Sequence, residues 1–88
     1  MNISEVKIYP FDSGEPNSSL RAYADVTLDQ SILIKGFMVL LAKNGGLFVG
    51  FPSKKGKDGK FYDLIEFKSS DLQSDLRSAI LEAYKIYS

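Results

Sequence analysis

Apolar and polar residues alternate along three stretches of the first half of the chain, which is the pattern of half-buried β-strands. The stretches are Ile3–Tyr9, Leu20–Leu28 (or from Arg21) and Ile32–Ala42. The third changes phase at Gly36, and a glycine at a phase change indicates a β-bulge. Residues 12–19 are turn-forming and weakly hydrophobic, and are predicted to form the loop between the first two strands.

Two short polar segments predict tight connections between the strands that follow. Asp29-Gln30 leaves room only for a tight turn, so strands two and three should pair directly. Asn44-Gly45 favours a type I′ hairpin turn into a fourth strand, Leu47–Phe51. A fifth strand is predicted over Phe61–Phe67, so strands three, four and five should form a meander.

The apolar period changes from two to 3.6 near the end of the chain, which predicts an amphipathic helix over residues 71–87. Ser70 and Gln73 have the spacing of a capping box, and Asp71 stands favourably in the first turn. The apolar positions of this helix are Leu72, Leu76, Ala79, Ile80, Ala83 and Tyr87. The prediction is an α+β fold, with an antiparallel β-sheet of about five strands and a C-terminal α-helix packed on it, in a single domain spanning residues 1–88.

Composition limits the cellular setting. The 88 residues are 44% hydrophobic and 25% charged, which is ordinary for a globular chain with a thin core. No apolar run approaches the roughly 20 residues that span a bilayer. The stretch MNISEVKIYP lacks the pattern of a secretion signal. With no cysteine in the chain, we expect a cytoplasmic protein that makes no membrane contact.

The residues that most enzymes use are missing. The chain has no histidine and no cysteine, so we expect no enzymatic activity, no metal site, no cofactor and no small-molecule substrate. Asp63 and Glu66 are three apart on a predicted strand and should face opposite sides. An enzyme using Asp63 is a third alternative that would require a pocket raising its pKa. Gly56 and Gly59 lack the spacing of a phosphate-binding loop and the helical context of a KH clamp.

Charge is unevenly distributed although the net charge is zero. Residues 52–60 carry four lysines and one aspartate, giving +3, against −1 before this segment and −2 after it. One interpretation is an exposed turn whose lysines keep a sheet edge soluble. The other is an arm whose ammonium groups are held out together toward phosphates, flanked by aromatic residues of which Tyr62 is an exposed candidate for base stacking. Most of the other flanking rings are expected in the core.

Four segments resemble the stage V sporulation protein G family: TLD at 27–29, NGGLFVGFPSKK at 44–55, DGKFYD at 58–63 and ILEAY at 80–84. The likeness covers nearly the whole chain in matching order. It implies a small bacterial regulator of sporulation, cell septation and gene expression that binds DNA or RNA as a dimer. By position, it places nucleic-acid contacts at Lys54 and Lys55, with Arg77 on the helix.

Our leading hypothesis is therefore a non-enzymatic, homodimeric regulator that binds DNA, RNA or both through the basic connection between two strands. The predicted nucleic-acid-binding residues are Ser53, Lys54, Lys55, Lys57, Lys60, Tyr62 and Arg77. The alternative is a protein-interaction module, a regulatory adaptor that acts through a sheet edge or the helix and binds nucleic acid only incidentally.

Overall fold

The computed structural model describes residues 2–11, 14 and 18–87, and in them the chain forms an α+β fold. Its elements in chain order are β1 (Ile3–Pro10), β2 (Leu20–Leu28), β3 (Ile32–Leu41), β4 (Leu47–Gly50), β5 (Ser53–Lys55), β6 (Phe61–Asp63) and α1 (Ser70–Tyr87). The first four strands form one antiparallel sheet in the order β1-β2-β3-β4, and β5 pairs with β6 in a second sheet. Most of the predicted loop over 12–19 lies outside the described residues.

The core lies between one face of the four-stranded sheet and α1. Alternate residues of β2 are buried on that face, as its sequence pattern predicts: Ala22, Ala24, Val26 and Leu28. Phe37 and Val39 of β3 continue the buried layer. Leu76 and Ile80 of α1 are fully buried against it. A single helix thus covers a single face of the sheet.

The helix begins and packs slightly differently from its prediction. The hydroxyl of Ser69, not that of Ser70, accepts a hydrogen bond from the Asp71 amide at 3.2 Å, so the cap lies one residue earlier. Tyr87 is 59% exposed, whereas Tyr84 packs against the core. The helical period alone could not decide between these two tyrosines, because each lies near the margin of the apolar face.

The type I′ geometry occurs at a different turn from the one predicted. Asp29 and Gln30 both have positive φ, 50° and 56°, and the Ser31 amide donates to the Leu28 carbonyl at 2.9 Å. In the β3–β4 connection only Gly45 has a positive φ. There a type I turn is closed by a bulge pair, in which the Ala42 amide donates to the Gly46 carbonyl at 2.7 Å. The hairpin was predicted correctly but its turn type was wrong.

Gly36 forms the predicted bulge in β3. Ala24 pairs with Phe37 and Val26 with Ile34, so β3 carries one more residue than β2 between these pairs. Gly36 has a φ of 96°, which glycine adopts without strain. Because of the bulge, Ile34 and Phe37 both face the core although they are three residues apart.

The predicted fifth strand is wrong in both length and partner. Strand β6 ends at Asp63 and pairs with Ser53–Lys55, a segment that was predicted as a loop. Pro52 follows β4 closely and has no amide hydrogen for continued pairing, which favours a separate short ladder. Ile65 and Phe67 pack against the core from an irregular segment, so their apolar spacing imitated a strand.

No helix in the described part of the chain is long and apolar enough to cross a membrane.

Replacing Leu76 with alanine should destabilise the protein by about 2 to 5 kcal/mol, because this side chain is fully buried between helix and sheet. The same truncation at Ile86, which is 79% exposed on the same helix, should change stability by less than about 0.5 kcal/mol. Urea unfolding followed by circular dichroism measures both. Equal effects at the two positions would contradict the packing described.

Candidate nucleic-acid interface

Residues 53–63 form a two-stranded projection, here called the lysine hairpin. Lys54 pairs with Tyr62 and Lys55 with Phe61 across the β5–β6 ladder. Directly paired residues share a face, whereas successive residues alternate between faces. Each face of the lysine hairpin therefore presents one lysine beside one aromatic ring.

This arrangement corrects the expectation that the ammonium groups are held out together. Strand alternation places Lys54 and Lys55 on opposite faces, and Lys57 and Lys60 flank the turn at the tip. All four lysines are exposed, as is every residue of 54–62 except Gly56. The positive charge surrounds the hairpin and does not cover one side of it.

The turn at the tip repeats the geometry of the β3–β4 turn. The Gly56 amide donates to the Lys60 carbonyl at 2.7 Å, and the Gly59 amide donates to the Gly56 carbonyl at 3.1 Å. Gly59 has a φ of 83°, as the last turn residue of this loop requires. The sequences also correspond: Lys57-Asp58-Gly59 here and Lys43-Asn44-Gly45 there.

Asp58, the one acid of residues 52–60, uses its carboxylate within the lysine hairpin. It accepts hydrogen bonds from the Tyr62 hydroxyl at 2.6 Å and from the Lys60 amide at 3.0 Å. The Tyr62 hydrogen bond, followed by that from the Lys60 amide, lowers the pKa of Asp58 below its ordinary 3.8. The same bond raises the pKa of Tyr62 above its ordinary 10.0. The carboxylate thus stabilises the turn.

Gly56 allows the Tyr62 ring to reach Asp58. A Cβ atom at position 56 would lie 2.7 Å from Cε2 of Tyr62, closer than non-bonded atoms approach, and a tight 3.0 Å from Oδ1 of Asp58. The ring therefore lies over the bare backbone of Gly56. The sequence indicated this glycine only through its spacing from Gly59, which does not reveal its contact with Tyr62.

The hairpin lysines take part in no ion pair within the described residues. The two ion pairs found there are Lys7–Glu5 at 4.0 Å and Lys68–Glu66 at 3.2 Å, both on exposed side chains. Because Asp58 is engaged by Tyr62 and the backbone, the four hairpin ammonium groups keep their charge available to an external anion.

The end of the lysine hairpin nearest the sheet, where the chain enters at Ser53 and leaves at Asp63, is called its foot. Arg77 is distant in sequence but lies beside Phe51, close to this foot. Its guanidinium carbon is 5.9 Å from the centre of the Phe51 ring, a cation–π distance. Phe51 in turn makes edge-to-face contacts with Phe37 at 5.7 Å and with Phe67 at 5.4 Å. These contacts connect the core to the foot and bring the predicted helix residue close to the basic segment.

A cleft of about 440 Å³ opens at the same foot. Its lining residues are Phe51, Asp63, Ile65, Glu66, Phe67 and Gln73. The prediction that Asp63 and Glu66 face opposite sides of a strand is wrong, because the strand ends at Asp63 and the chain then bends, so that both residues line one cleft. Within the described residues no cluster of three or more acidic side chains could hold a metal ion.

The aromatic residues flanking the lysines are divided between the core and the surface differently from the prediction. Phe51 packs against the core, as expected, but Phe61 is 71% exposed and Phe48 is 45% exposed. Tyr62 is exposed as predicted, although its hydroxyl is held by Asp58. Phe61, opposite Lys55, is thus the most accessible ring on the hairpin. The pairing partner of Lys55 could not be read from the sequence while residues 53–55 were taken as a loop.

The Asp58–Tyr62 bond predicts a titration that can be measured. The Asp58 pKa should lie below 3.8, and Tyr62→Phe should return it toward 3.8. Because the pKa is lowered in the folded state, the stabilisation is complete above pH 3.8 and is lost as the pH falls through the lowered pKa. The pKa of Tyr62 is raised in the folded state, so the stabilisation linked to this group is complete below pH 10.0. This stabilisation is lost as the pH rises through the raised pKa of Tyr62. Carboxyl carbon chemical shifts followed by NMR measure the Asp58 titration.

Gly56→Ala should return the pKa of Asp58 toward 3.8, as Tyr62→Phe should, although neither Asp58 nor Tyr62 is substituted. The new methyl group occupies the space of the Tyr62 ring, which must move away from Asp58. Gly46→Ala is the control in the other turn, where the added Cβ meets only Asn44 at 3.2 Å. An unchanged Asp58 titration in Gly56→Ala would contradict the role given to this glycine.

Comparison with known proteins identifies the family of this chain. The SpoVG family model matches residues 1–86. Three relatives share the printed name "Putative septation protein SpoVG". That of Archaeoglobus fulgidus is 36% identical over 83 residues, covering 94% of this chain and 93% of the relative. Those of Bdellovibrio bacteriovorus and Myxococcus xanthus are 34% and 33% identical over 85 residues, covering 97% of this chain and 74% and 81% of the relatives. The chain belongs to the SpoVG family.

Proposed function

We propose that this protein is a non-enzymatic, cytoplasmic regulator that binds DNA, RNA or both, and that the lysine hairpin contacts the phosphates. The observation that carries the proposal is the state of the four hairpin lysines, which are all exposed and have no carboxylate partner among the described residues. Lysine ammonium groups on long stems contact phosphate oxygens without a fixed geometry. The charge of +3 over residues 52–60 attracts a polyanion even when the net charge is zero.

The distribution of charge around the hairpin favours a partner that surrounds it. The major groove of duplex DNA admits a two-stranded β-ribbon, and its walls carry phosphates on both sides. Lys54 and Lys55, on opposite faces, suit such walls, and Lys57 and Lys60 at the tip would meet phosphates further along. Arg77 at the foot would add a fifth cation from the helix.

The pairing of a lysine with an aromatic ring across the hairpin also suits a single-stranded nucleic acid. Phe61 lies beside Lys55 and is well exposed, so a base can stack on the ring while the ammonium group meets the adjacent phosphate. Tyr62 offers a second ring beside Lys54, and Ser53, on the same face as Lys55, offers a hydroxyl near the foot. These contacts would extend binding to single-stranded RNA.

The cellular role follows from the relatives. The named relatives are called septation proteins, so we propose that nucleic-acid binding by this chain serves regulation of cell septation or sporulation. We propose a homodimer as the working form. Three or four phosphate contacts in each chain then give about six to eight in the dimer, which corresponds to a log–log salt slope of about −5 to −7 on duplex DNA.

The double variant Lys54→Glu/Lys55→Glu should abolish nucleic-acid binding and leave the unfolding temperature nearly unchanged, because both side chains are exposed and unpaired. Lys35→Glu/Lys43→Glu is the matched control, since it makes the same charge change at exposed positions outside the lysine hairpin. Fluorescence anisotropy with labelled duplex DNA and single-stranded RNA, across a salt series, measures affinity and slope.

The control should bind at least ten times more tightly than the hairpin variant. A salt slope near −1 for the native protein, or equal losses in both double variants, would contradict the assignment. Phe61→Ala separates the two substrates, because loss of a stacking ring should weaken single-stranded RNA binding by roughly 1 to 3 kcal/mol and affect duplex DNA less.

A further inference from the structure

The cleft at the foot of the lysine hairpin combines apolar walls with polar side chains. Its volume of about 440 Å³ lies within the range of roughly 300 to 1,000 Å³ that is typical of sites for small organic groups. Phe51 and Phe67 line it and meet edge-to-face at 5.4 Å, and Ile65 lines it as well. All three pack against the core, so these walls have a defined position. The cleft is large enough to hold a nucleobase.

Asp63 is the acid of this cleft whose charge is not compensated. Within the residues that the structure describes, its carboxylate joins no ion pair and accepts no hydrogen bond. Glu66 lines the same cleft but is held by the Lys68 ammonium group at 3.2 Å. Gln73 of α1 is half-buried and adds an amide, which donates as well as accepts. The cleft therefore offers a carboxylate acceptor and an amide donor beside apolar walls.

Cations lie near the cleft on both elements that form it. Phe61 is two residues before Asp63 on β6, so the two share one face of the hairpin with Lys55, the partner of Phe61. Arg77 follows Gln73 by four residues on α1, and residues at this spacing are neighbours on a helix surface. These cations repel a guanidinium or an amine from the cleft, whereas they attract the phosphates attached to a nucleobase.

Guanine is the base whose hydrogen-bonding groups complement those of the cleft. Its Watson–Crick edge carries two adjacent N–H donors beside a carbonyl, so one carboxylate accepts from both donors while an amide donates to the carbonyl. Uracil has a single N–H between two carbonyls, and adenine and cytosine place an acceptor beside their amino group, where it would oppose Asp63. This edge is exposed in a single strand, whereas in a duplex it is already paired.

We propose that this cleft binds one unpaired guanine of a single-stranded nucleic acid, with the Asp63 carboxylate accepting from N1 and N2 and the Gln73 amide donating to O6. The inference deepens the proposed function, on which it rests, by naming the base that is read beside the phosphates. A neighbouring base stacks on Phe61, about 7 Å away along β6, because this distance exceeds the roughly 3.4 Å between bases stacked on each other. Lys55 and Arg77 meet the adjoining phosphates.

The test is fluorescence anisotropy with a labelled oligouridylate and with the same strand carrying one central guanosine. The native chain should bind the guanosine strand about 5- to 100-fold more tightly, the discrimination given by one bidentate contact to a base. Inosine, which lacks the N2 amino group, should lose most of this preference. Asp63→Asn should abolish the preference and bind oligouridylate at least as tightly as the native chain, because a negative charge near the phosphates is removed. A misfolded variant would instead bind both strands more weakly.

Asp75→Asn is the matched control, because it makes the same charge change at an exposed position of α1 that does not line the cleft. This variant should keep the preference for guanosine. Equal binding of the two strands by the native chain overturns the inference, and so does a preference that survives in Asp63→Asn.

NMR with nucleosides tests the cleft without the lysines, since guanosine and uridine carry no phosphate. Guanosine should shift the side-chain amide resonances of Gln73 more than uridine does, and Asp63→Asn should remove the difference. Equal shifts by the two nucleosides, or a larger shift by arginine amide than by guanosine, overturn the inference. If neither strand binds the native chain but guanosine still shifts Gln73, the proposed function fails and this inference stands. If both strands bind equally and the nucleosides do not differ, this inference fails and the proposed function stands.

Discussion

A four-stranded sheet covered by one helix is the constraint on which the rest of this structure depends. The chain of 88 residues has a single described helix, and that helix buries Leu76 and Ile80 against the small and branched side chains of β2 and β3. Stability comes from this one layer. The opposite face receives no cover from the described residues, although it carries aromatic side chains such as Tyr9 and Tyr23 among its charged ones, and the lysine hairpin extends beyond the layer. Because one helix covers one face of the sheet, the described chain has a core on that face, an uncovered face on the other side, and a lysine hairpin that projects from the sheet.

The foot of the hairpin is where these parts meet. Phe37 belongs to the sheet, Phe51 to the exit from β4 and Phe67 to the segment before the helix, and their rings contact one another in sequence. Arg77 stands over the middle ring. Without such contacts the hairpin lysines would have no defined position relative to α1. The contacts among Phe37, Phe51, Phe67 and Arg77 orient the start of the hairpin relative to the helix. Pro52, buried beside the bulge glycine Gly36, adds to the attachment.

Periodicity predicted the parts of the fold that are governed by burial. The alternation in β2, the bulge at Gly36 and the helix over Ser70–Tyr87 follow from apolar spacing, because each buries one face. The β5–β6 ladder was missed because Ser53–Lys55 has no apolar residue, and Phe61–Phe67 was overextended because Ile65 and Phe67 are buried without being in a strand. The four lysines were predicted from charge, Tyr62 from its position beside them and Arg77 from the resemblance, but the division of these lysines between two faces depends on a pairing that composition does not encode. Asp63 and Glu66 line the same cleft because the chain bends after Asp63, and the spacing of the residues along the sequence does not reveal this bend.

The turn held by Gly56, Asp58 and Tyr62 has an entropic consequence for association. Its backbone is already closed by two amide-to-carbonyl hydrogen bonds, and the Asp58 carboxylate adds two more bonds. A disordered basic tail must lose about 1 to 2 kcal/mol of backbone freedom for each residue it orders on meeting an anion. Under the proposed function, this hairpin would lose mainly lysine rotamers on meeting an anion, so binding would need no coupled folding and its rate would be governed by long-range attraction.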